Sequence, residues 1–384
     1  MRLVFWGASG LIAYTYLAFP VLVLLRGRLR PVPLAQAAVP EPSVTIVIAA
    51  FNEAGVIGQK VSNLLGLDYP AERLQVIVAS DGSDDGTVVA ARRAAGDDPR
   101  VMVLDLPRTG KAGALNTAAA EATGEILVFS DANSMFAPDA VRALVAPFAD
   151  PTVGGVAGDQ RYLPEGGLSG SASGERGYWD FDRRIKQAES DGGNVISATG
   201  AIYAIRRDLF RTVPEGVTDD FATSTGVIEQ GARLVFAPDA AAYEPVGGSS
   251  SVEYGRKVRV MTRGLNGVVL RRRLLNPRTH GFYAVQLFSH KVLRRLMAVP
   301  LLLLWASTLR LARRSPLHAL LALAQTGLYG LGAAGLLLGR RPLGRHRVFA
   351  LPAYFCLVNI ASLQALANVV RRRSVNRWEP QREG

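Results

Sequence analysis

Between residues 44 and 129 short apolar runs alternate with longer segments of helical spacing. The runs at 44–50, 74–79, 101–104 and 126–129 are rich in β-branched and aliphatic residues and lack the polar alternation of a half-exposed strand. Segments around 54–66, 85–95 and 111–122 carry the helical pattern. Continuous apolar strands alternating with helices predict an α/β fold, a parallel sheet covered on both faces. Such sheets bind ligands at the carboxyl ends of their strands.

Longer charge-free runs flank this core, at 3–25, 317–338 and 348–370. Each is long enough to span a bilayer. Arg26, Arg28 and Arg30 follow the first run, the reverse of a cleaved signal peptide, so a retained helix is expected with the next segment on the cytoplasmic side. A fourth run, 296–309, makes a helix of only ~21 Å, short of a hydrocarbon core of about 30 Å. It spans if Arg294, Arg295 and Arg310 snorkel at its ends, and four spans are expected on that basis. Residues 31–42 hold four prolines and read as a linker, 163–177 as a mobile loop rich in Gly and Ser.

Composition sharpens this picture. The chain of 384 residues is 49% hydrophobic yet carries a net charge of +12. Its arginines cluster at the edges of the apolar runs, and no aromatic residues interleave with them as stacking platforms, so a membrane protein fits and nucleic-acid binding does not. The single cysteine, Cys356, excludes a disulfide framework and a cysteine-rich zinc site.

The residues that end each strand suggest the chemistry. Phe51, Asn52 and Glu53 follow the first, the run from Ser80 to Thr87 the second, Arg108, Gly110 and Lys111 the third, Asp131 and Asn133 the fourth. Each group taken alone is a turn or a helix cap; all four belong to one rim of the sheet. Asp131 and Asn133 offer two hard oxygens at i and i+2, suited to Mg2+ or Mn2+ sharing its coordination with phosphates. Lys111 and Arg108 would add cationic contacts to a diphosphate. Neither a P-loop nor a dinucleotide-binding glycine pattern is present. Thr218, Asp219 and Asp220 precede a helical pattern over 221–230. Taken alone they read first as a helix N-terminus, and functionally as a carboxylate able to take a proton from an attacking hydroxyl.

The ordered stretches "VTIVIAAFNE", "VIVASDGSDDGT", "GKAGALN", "GEILVFSDANS", "TGAIYAIRRDLF", "VTDDFATSTGVIEQGARLVFAPDAAAYE" and "RKVRVMTRG" resemble the membrane-bound family 2 glycosyltransferases. These inverting enzymes include synthases of bacterial exopolysaccharide, chitin, cellulose and hyaluronan. The resemblance implies a cytoplasmic GT-A domain with a Rossmann-like mixed, mostly parallel sheet, over residues 43–250, and α-helical transmembrane segments at 1–30 and 296–372. Basic interfacial helices at 251–295 and a tail at 373–384 complete the expected organisation.

By position the resemblance assigns the donor side to Phe51, Glu53, Asp81, Lys111, Asp131 and Arg259, with Asp81 on the uracil of a UDP-sugar. It gives the divalent metal to Asp131 and Asn133, and the acceptor side to Gly200, Ala201 and Arg256. Asp220 takes the place of the catalytic base, with Asp219 beside it. The expected partners are a nucleotide-sugar donor, a glycan or lipid-linked glycan acceptor and membrane lipids, at the inner membrane. Two departures stand out. Asn133 replaces a second Asp and removes a negative charge from the metal site. Val260 stands where polymerising members carry a Trp, which turns the expected acceptor towards a lipid-linked one and leaves chain growth open. Arg256, Lys257, Arg259 and Arg263 read alternatively as the basic face of a helix on anionic lipid, and His290 as structural.

Overall fold

A computed structural model describes residues 1–35, 41–163, 172–245, 250–338, 344 and 346–373. The chain divides into two compact units, one of Val23–Gly248 with Leu270–Tyr283, the other of Met1–Leu22, Ser249–Val269 and Ala284–Val375.

The first unit is built on an eight-stranded mixed sheet. Its strands are β1 (Val44–Ala50), β2 (Leu74–Asp81), β3 (Val101–Leu106), β4 (Ile126–Asp131), β5 (Met135–Phe136), β6 (Val153–Leu163), β7 (Tyr203–Arg206) and β8 (Arg233–Pro245), in the order β3-β2-β1-β4-β7-β6-β8-β5. β1 pairs in parallel with β2 and β4, and β2 with β3, so the carboxyl ends of these four lie on one edge. β7 runs antiparallel to β4 and β6, and β6 is parallel to β8. Every residue of β1 is buried, as expected of a strand covered on both faces.

α1 (Arg2–Leu29), most of it in the other unit, leads the chain; between the strands come α2 (Ala54–Leu65), α3 (Thr87–Ala95), α4 (Lys111–Ala120), α5 (Ala140–Val145), α6 (Ala172–Asp191) and α7 (Asp219–Glu229). Ile57, Val61 and Leu64 of α2 join the strand residues Ile46, Ile48, Val76, Val78 and Val128 in one apolar core. Of the segment read as a mobile loop, 164–171 lies outside the described residues, and from Ala172 the chain is helical. Residues 36–40 of the proline-rich linker also lie outside them, as do 374–384 of the tail.

The second unit is helical. It contains most of α8 (Ser250–Leu270), and α9 (Phe282–Leu296) and α10 (Ala298–Arg314), which meet at a bend of 54°, followed by α11 (Pro316–Leu338) and α12 (Arg347–Val370). α1, α11 and α12 are each long and apolar enough to cross a membrane, and the α9–α10 pair passes the same test jointly. The short run of the sequence is thus the core of α10, with α9 bent against its start.

Candidate active site

Two loops at the carboxyl edge of the sheet are laced together. Asn52, which ends the turn after β1 with φ +52°, exchanges hydrogen bonds with Asp84: its amide donates to Oδ1 at 2.8 Å and its carbonyl oxygen accepts the Asp84 N–H at 3.1 Å. The Glu53 N–H donates to Thr87 Oγ1 at 2.8 Å and the Ala54 N–H to Asp85 Oδ2 at 3.0 Å. The acid-rich run after β2 therefore divides its work. Asp84 and Asp85 fasten loops. Glu53 itself is buried at the start of α2.

Asp81 is fully buried. Its Oδ1 accepts the N–H groups of Thr109 at 2.7 Å and Gly110 at 2.8 Å, and its Oδ2 is paired with Arg108 at 2.7 Å. The Arg108 guanidinium lies 3.2 Å from the centre of the Phe51 ring. Arg108, expected from the sequence beside a diphosphate, thus covers Asp81, expected on the uracil, and Phe51, expected on the donor side. Gly82, at φ +66°, permits this approach, since a Cβ there would stand 2.9 Å from the Arg108 nitrogen.

The loop that Asp81 holds delivers Lys111 at the start of α4. Its ammonium bridges Asp131 Oδ1 at 2.7 Å and Asp219 Oδ2 at 3.0 Å. Burial pulls this amine down, but the two carboxylates hold it well above its usual pKa. α4 and the segment leading into α7 are pinned by Asn116, whose amide donates to the Val213 carbonyl at 2.9 Å and accepts the Val213 N–H at 2.8 Å. Ala112, Val213, Val217 and Ala222 pack in a small apolar cluster beneath. Asp219 and Asp220 occupy the first turn of α7, as the helix-terminus reading expects, and Asp220 Oδ1 accepts the Phe221 N–H at 2.7 Å. Tyr203 lies under the same carboxylates. Burial, with the charges of Asp219, Asp220 and Asp131, pushes its phenol well above the usual value.

Asp131 ends β4, and its N–H donates to the Gly200 carbonyl at 3.1 Å. Gly200 fits because a Cβ would stand 2.8 Å from Asp131 Oδ2. Ala201, expected on the acceptor side, has its side chain in the apolar core, while its carbonyl accepts a hydrogen bond from Ser130 at 2.9 Å. Arg256 and Arg259 lie on α8, in the helical unit.

Asp131 and Asn133 are both partly exposed, whereas Ser130, Ala132 and Ser134 are buried. Among the described residues no three His, Cys, Asp or Glu side chains form a metal-holding group. One carboxylate and one amide oxygen suit a hard divalent ion that draws its other ligands from substrate phosphates and water. They do not make a closed all-protein site.

Two buried groups beside this loop carried no motif. Lys60 is fully buried in α2. Glu244, in β8, accepts hydrogen bonds from Ser134 Oγ and from Gln160 at 2.6 Å, and burial, with Asp131 nearby, raises its carboxyl above the usual range. The only sequence signal for Lys60 is a charge at an apolar position of α2, level with Ile57, Val61 and Leu64.

Residues 45–213 match the family model described as glycosyl transferase family 2. A poly-β-1,6-N-acetyl-D-glucosamine synthase of Staphylococcus aureus is 26% identical over 200 residues, covering 51% of this chain and 48% of the relative. A β-monoglucosyldiacylglycerol synthase of Synechocystis is 37% identical over 119 residues, covering 30% and 25%. The chain spans about half the length, or less, of the curated relatives it matches. A solved mannosyltransferase of Pyrobaculum calidifontis, in complex with GDP-Man and Mn2+, matches with a TM-score of 0.73 at 25% identity, covering 96% of this chain and 99% of its own. The fold is the mixed α/β arrangement of the GT-A glycosyltransferases.

Proposed function

From the glycosyltransferase family 2 domain that this chain carries over residues 45–213, we propose a membrane-bound inverting enzyme that moves a sugar from a nucleotide-diphospho-sugar to an acceptor hydroxyl. The observation that carries the reading is the convergence of Asp131, Lys111 and Asp219, tied by contacts of 2.7 and 3.0 Å, with Asp220 in the same helical turn. Asp220 takes the proton of the acceptor hydroxyl. The freed oxygen attacks the anomeric carbon as the bond to the diphosphate breaks on the opposite face, and one displacement inverts the centre. Lys111 offers its ammonium to the oxygens of the leaving diphosphate. Asp131 and Asn133 would hold Mg2+ or Mn2+, which supplies Lewis acidity to that leaving group. Asp81 fixes the loop that carries Lys111.

The sequence pattern favours a UDP-sugar; the relative from Pyrobaculum was solved with GDP-Man, so both nucleotides belong in the first screen. The acceptor is a growing glycan of the cell surface, a reading supported by the similarity to a poly-β-1,6-N-acetyl-D-glucosamine synthase. A second reading, one sugar added to a polyprenyl-phosphate or to a glycan on such a lipid, is favoured by Val260, a small and half-exposed side chain where polymerising members carry a Trp.

The test is purified enzyme with labelled UDP- and GDP-sugars and Mn2+. Label is expected in polymer or, on the second reading, as a single sugar on lipid. Asp220→Asn should lower transfer by ~10²–10⁴-fold, the usual worth of a general base, with donor affinity unchanged. Loss of donor binding in that variant would remove Asp220 from the base role.

A further inference from the structure

Lys60 projects from α2 beneath the segment Ser130–Ser134 and is fully buried. An ammonium has three N–H donors, and each direction here has a partner. One donates to Ser130 Oγ at 2.9 Å and one to the Ser134 backbone carbonyl. The Phe136 ring lies 3.8 Å away on the remaining side. Both ends of the segment are fastened a second time. Ser130 Oγ donates to the Ala201 carbonyl at 2.9 Å, and Ser134 Oγ to Glu244. The two side chains left partly exposed between these anchors are Asp131 and Asn133.

Burying a lysine without a matched carboxylate is costly. Burial lowers the amine to about 7, with Asp131 and Glu244 opposing the shift. A leucine or methionine would fill the same position of the apolar stripe without that penalty. The lysine is accounted for by what it holds: one cation closes the gap between the strand end before the metal-binding pair and the turn after it.

We propose that Lys60 is a positioning residue for the divalent-metal site, setting the separation and direction of Asp131 and Asn133 by clamping Ser130 and Ser134 from below. The inference rests on the metal reading of Asp131 and Asn133. It is distinguishable from a purely electrostatic role by sign. A buried cation near a metal site repels the ion, so removing its charge alone tightens metal binding. Removing a clamp weakens it.

The experiment titrates Mn2+ against the purified full-length protein with saturating UDP, and in a parallel arm with GDP. Bound ion is followed by the water-proton relaxation enhancement of the protein complex, a readout independent of turnover. Lys60→Met should keep the circular dichroism of the wild type and weaken Mn2+ binding by ~10–100-fold, as loss of groups that orient metal ligands commonly does. Ser130→Ala removes one anchor with little change of volume and should weaken it about two- to tenfold, the effect of one hydrogen bond; it carries the test if Lys60→Met fails to fold. Mn2+ affinity unchanged or tighter in both variants overturns the clamp. No relaxation enhancement by the wild type with either nucleotide overturns the metal reading of Asp131 and Asn133, and this inference with it.

Discussion

Asp81 and Arg108 illustrate how a residue can be legible in kind while its partners are not. The sequence identifies Asp81 as an acid at a strand end, and the structure places it there. Both its oxygens are engaged, two N–H groups on one and Arg108 on the other. Spacing gives no view of that second partner, because Arg108 arrives from another strand and its direction depends on the twist of the loop. The Arg108 guanidinium is stacked on Phe51 and paired with Asp81, two residues that the family resemblance gives to the donor. A nucleotide that uses these two residues must displace it. Arg108→Ala should therefore tighten binding of UDP or GDP in the presence of Mn2+ by about two- to fivefold, the worth of one partly exposed ion pair, as measured by calorimetry. Weaker binding would return Arg108 to the diphosphate, where the sequence pattern puts it.

At the scale of elements, β1 to β4 are readable because a strand buried on both faces must be apolar throughout. Their ends are less so: β2 and β4 run through Asp81 and Asp131, since Asp81 pairs with Leu106 and Asp131 with Ala49 in the ladder. β6 escapes pattern reading altogether. Its glycines mimic a loop, yet a Cβ on Gly154 would stand 2.4 Å from Leu209 and one on Gly158 2.7 Å from Ile202; the neighbours press too close for any side chain. α7 depends on a contact equally distant in sequence. Arg271 donates to the Ala222 carbonyl at 3.0 Å and pairs with Glu229 at 2.5 Å, bridging the helix from its first turns to its last. Gly226 makes room for it, since a Cβ there would stand 2.8 Å from the guanidinium. Arg271→Ala leaves both acceptors without this donor. A loss of about 1.5–3 kcal/mol for charged hydrogen bonds corresponds to a Tm lower by about 3–12 °C for a domain of this size. A melting temperature within 1 °C of wild type in the same detergent, on that scale ~0.5 kcal/mol or less, would show that α7, and with it Asp220, is held without Arg271.

For the whole molecule the open quantity is the number of crossings, and here packing and charge disagree. α10 and α11 form an antiparallel hairpin about Ser315. Trp305 Nε1 donates to Thr326 Oγ1 at 2.9 Å, and Thr308 Oγ1 to Gln325 at 2.9 Å. Followed back from these pairs, the start of α10 lies level with the last third of α11, a helix of 23 residues long and apolar enough to cross a membrane. A re-entrant segment would turn back near mid-depth. α10 is long for such a segment: its 17 residues reach ~26 Å, and the arginines at its end can snorkel the remainder. On this reading four crossings are expected, which would put the segment between α11 and α12 and the end of α12 on opposite sides of the membrane. The positive-inside tendency prefers three, but it acts on loops during insertion, whereas the α10–α11 contacts pair four polar side chains that hydrocarbon would otherwise leave without partners. Reporter fusions decide between them. Alkaline phosphatase joined after Arg373 should be active and a fluorescent protein at the same place dark, with the reverse for fusions at Gly344. Phosphatase active at Gly344 and silent after Arg373 would reduce the crossings to three and make α9 and α10 a pair that enters and leaves by one face.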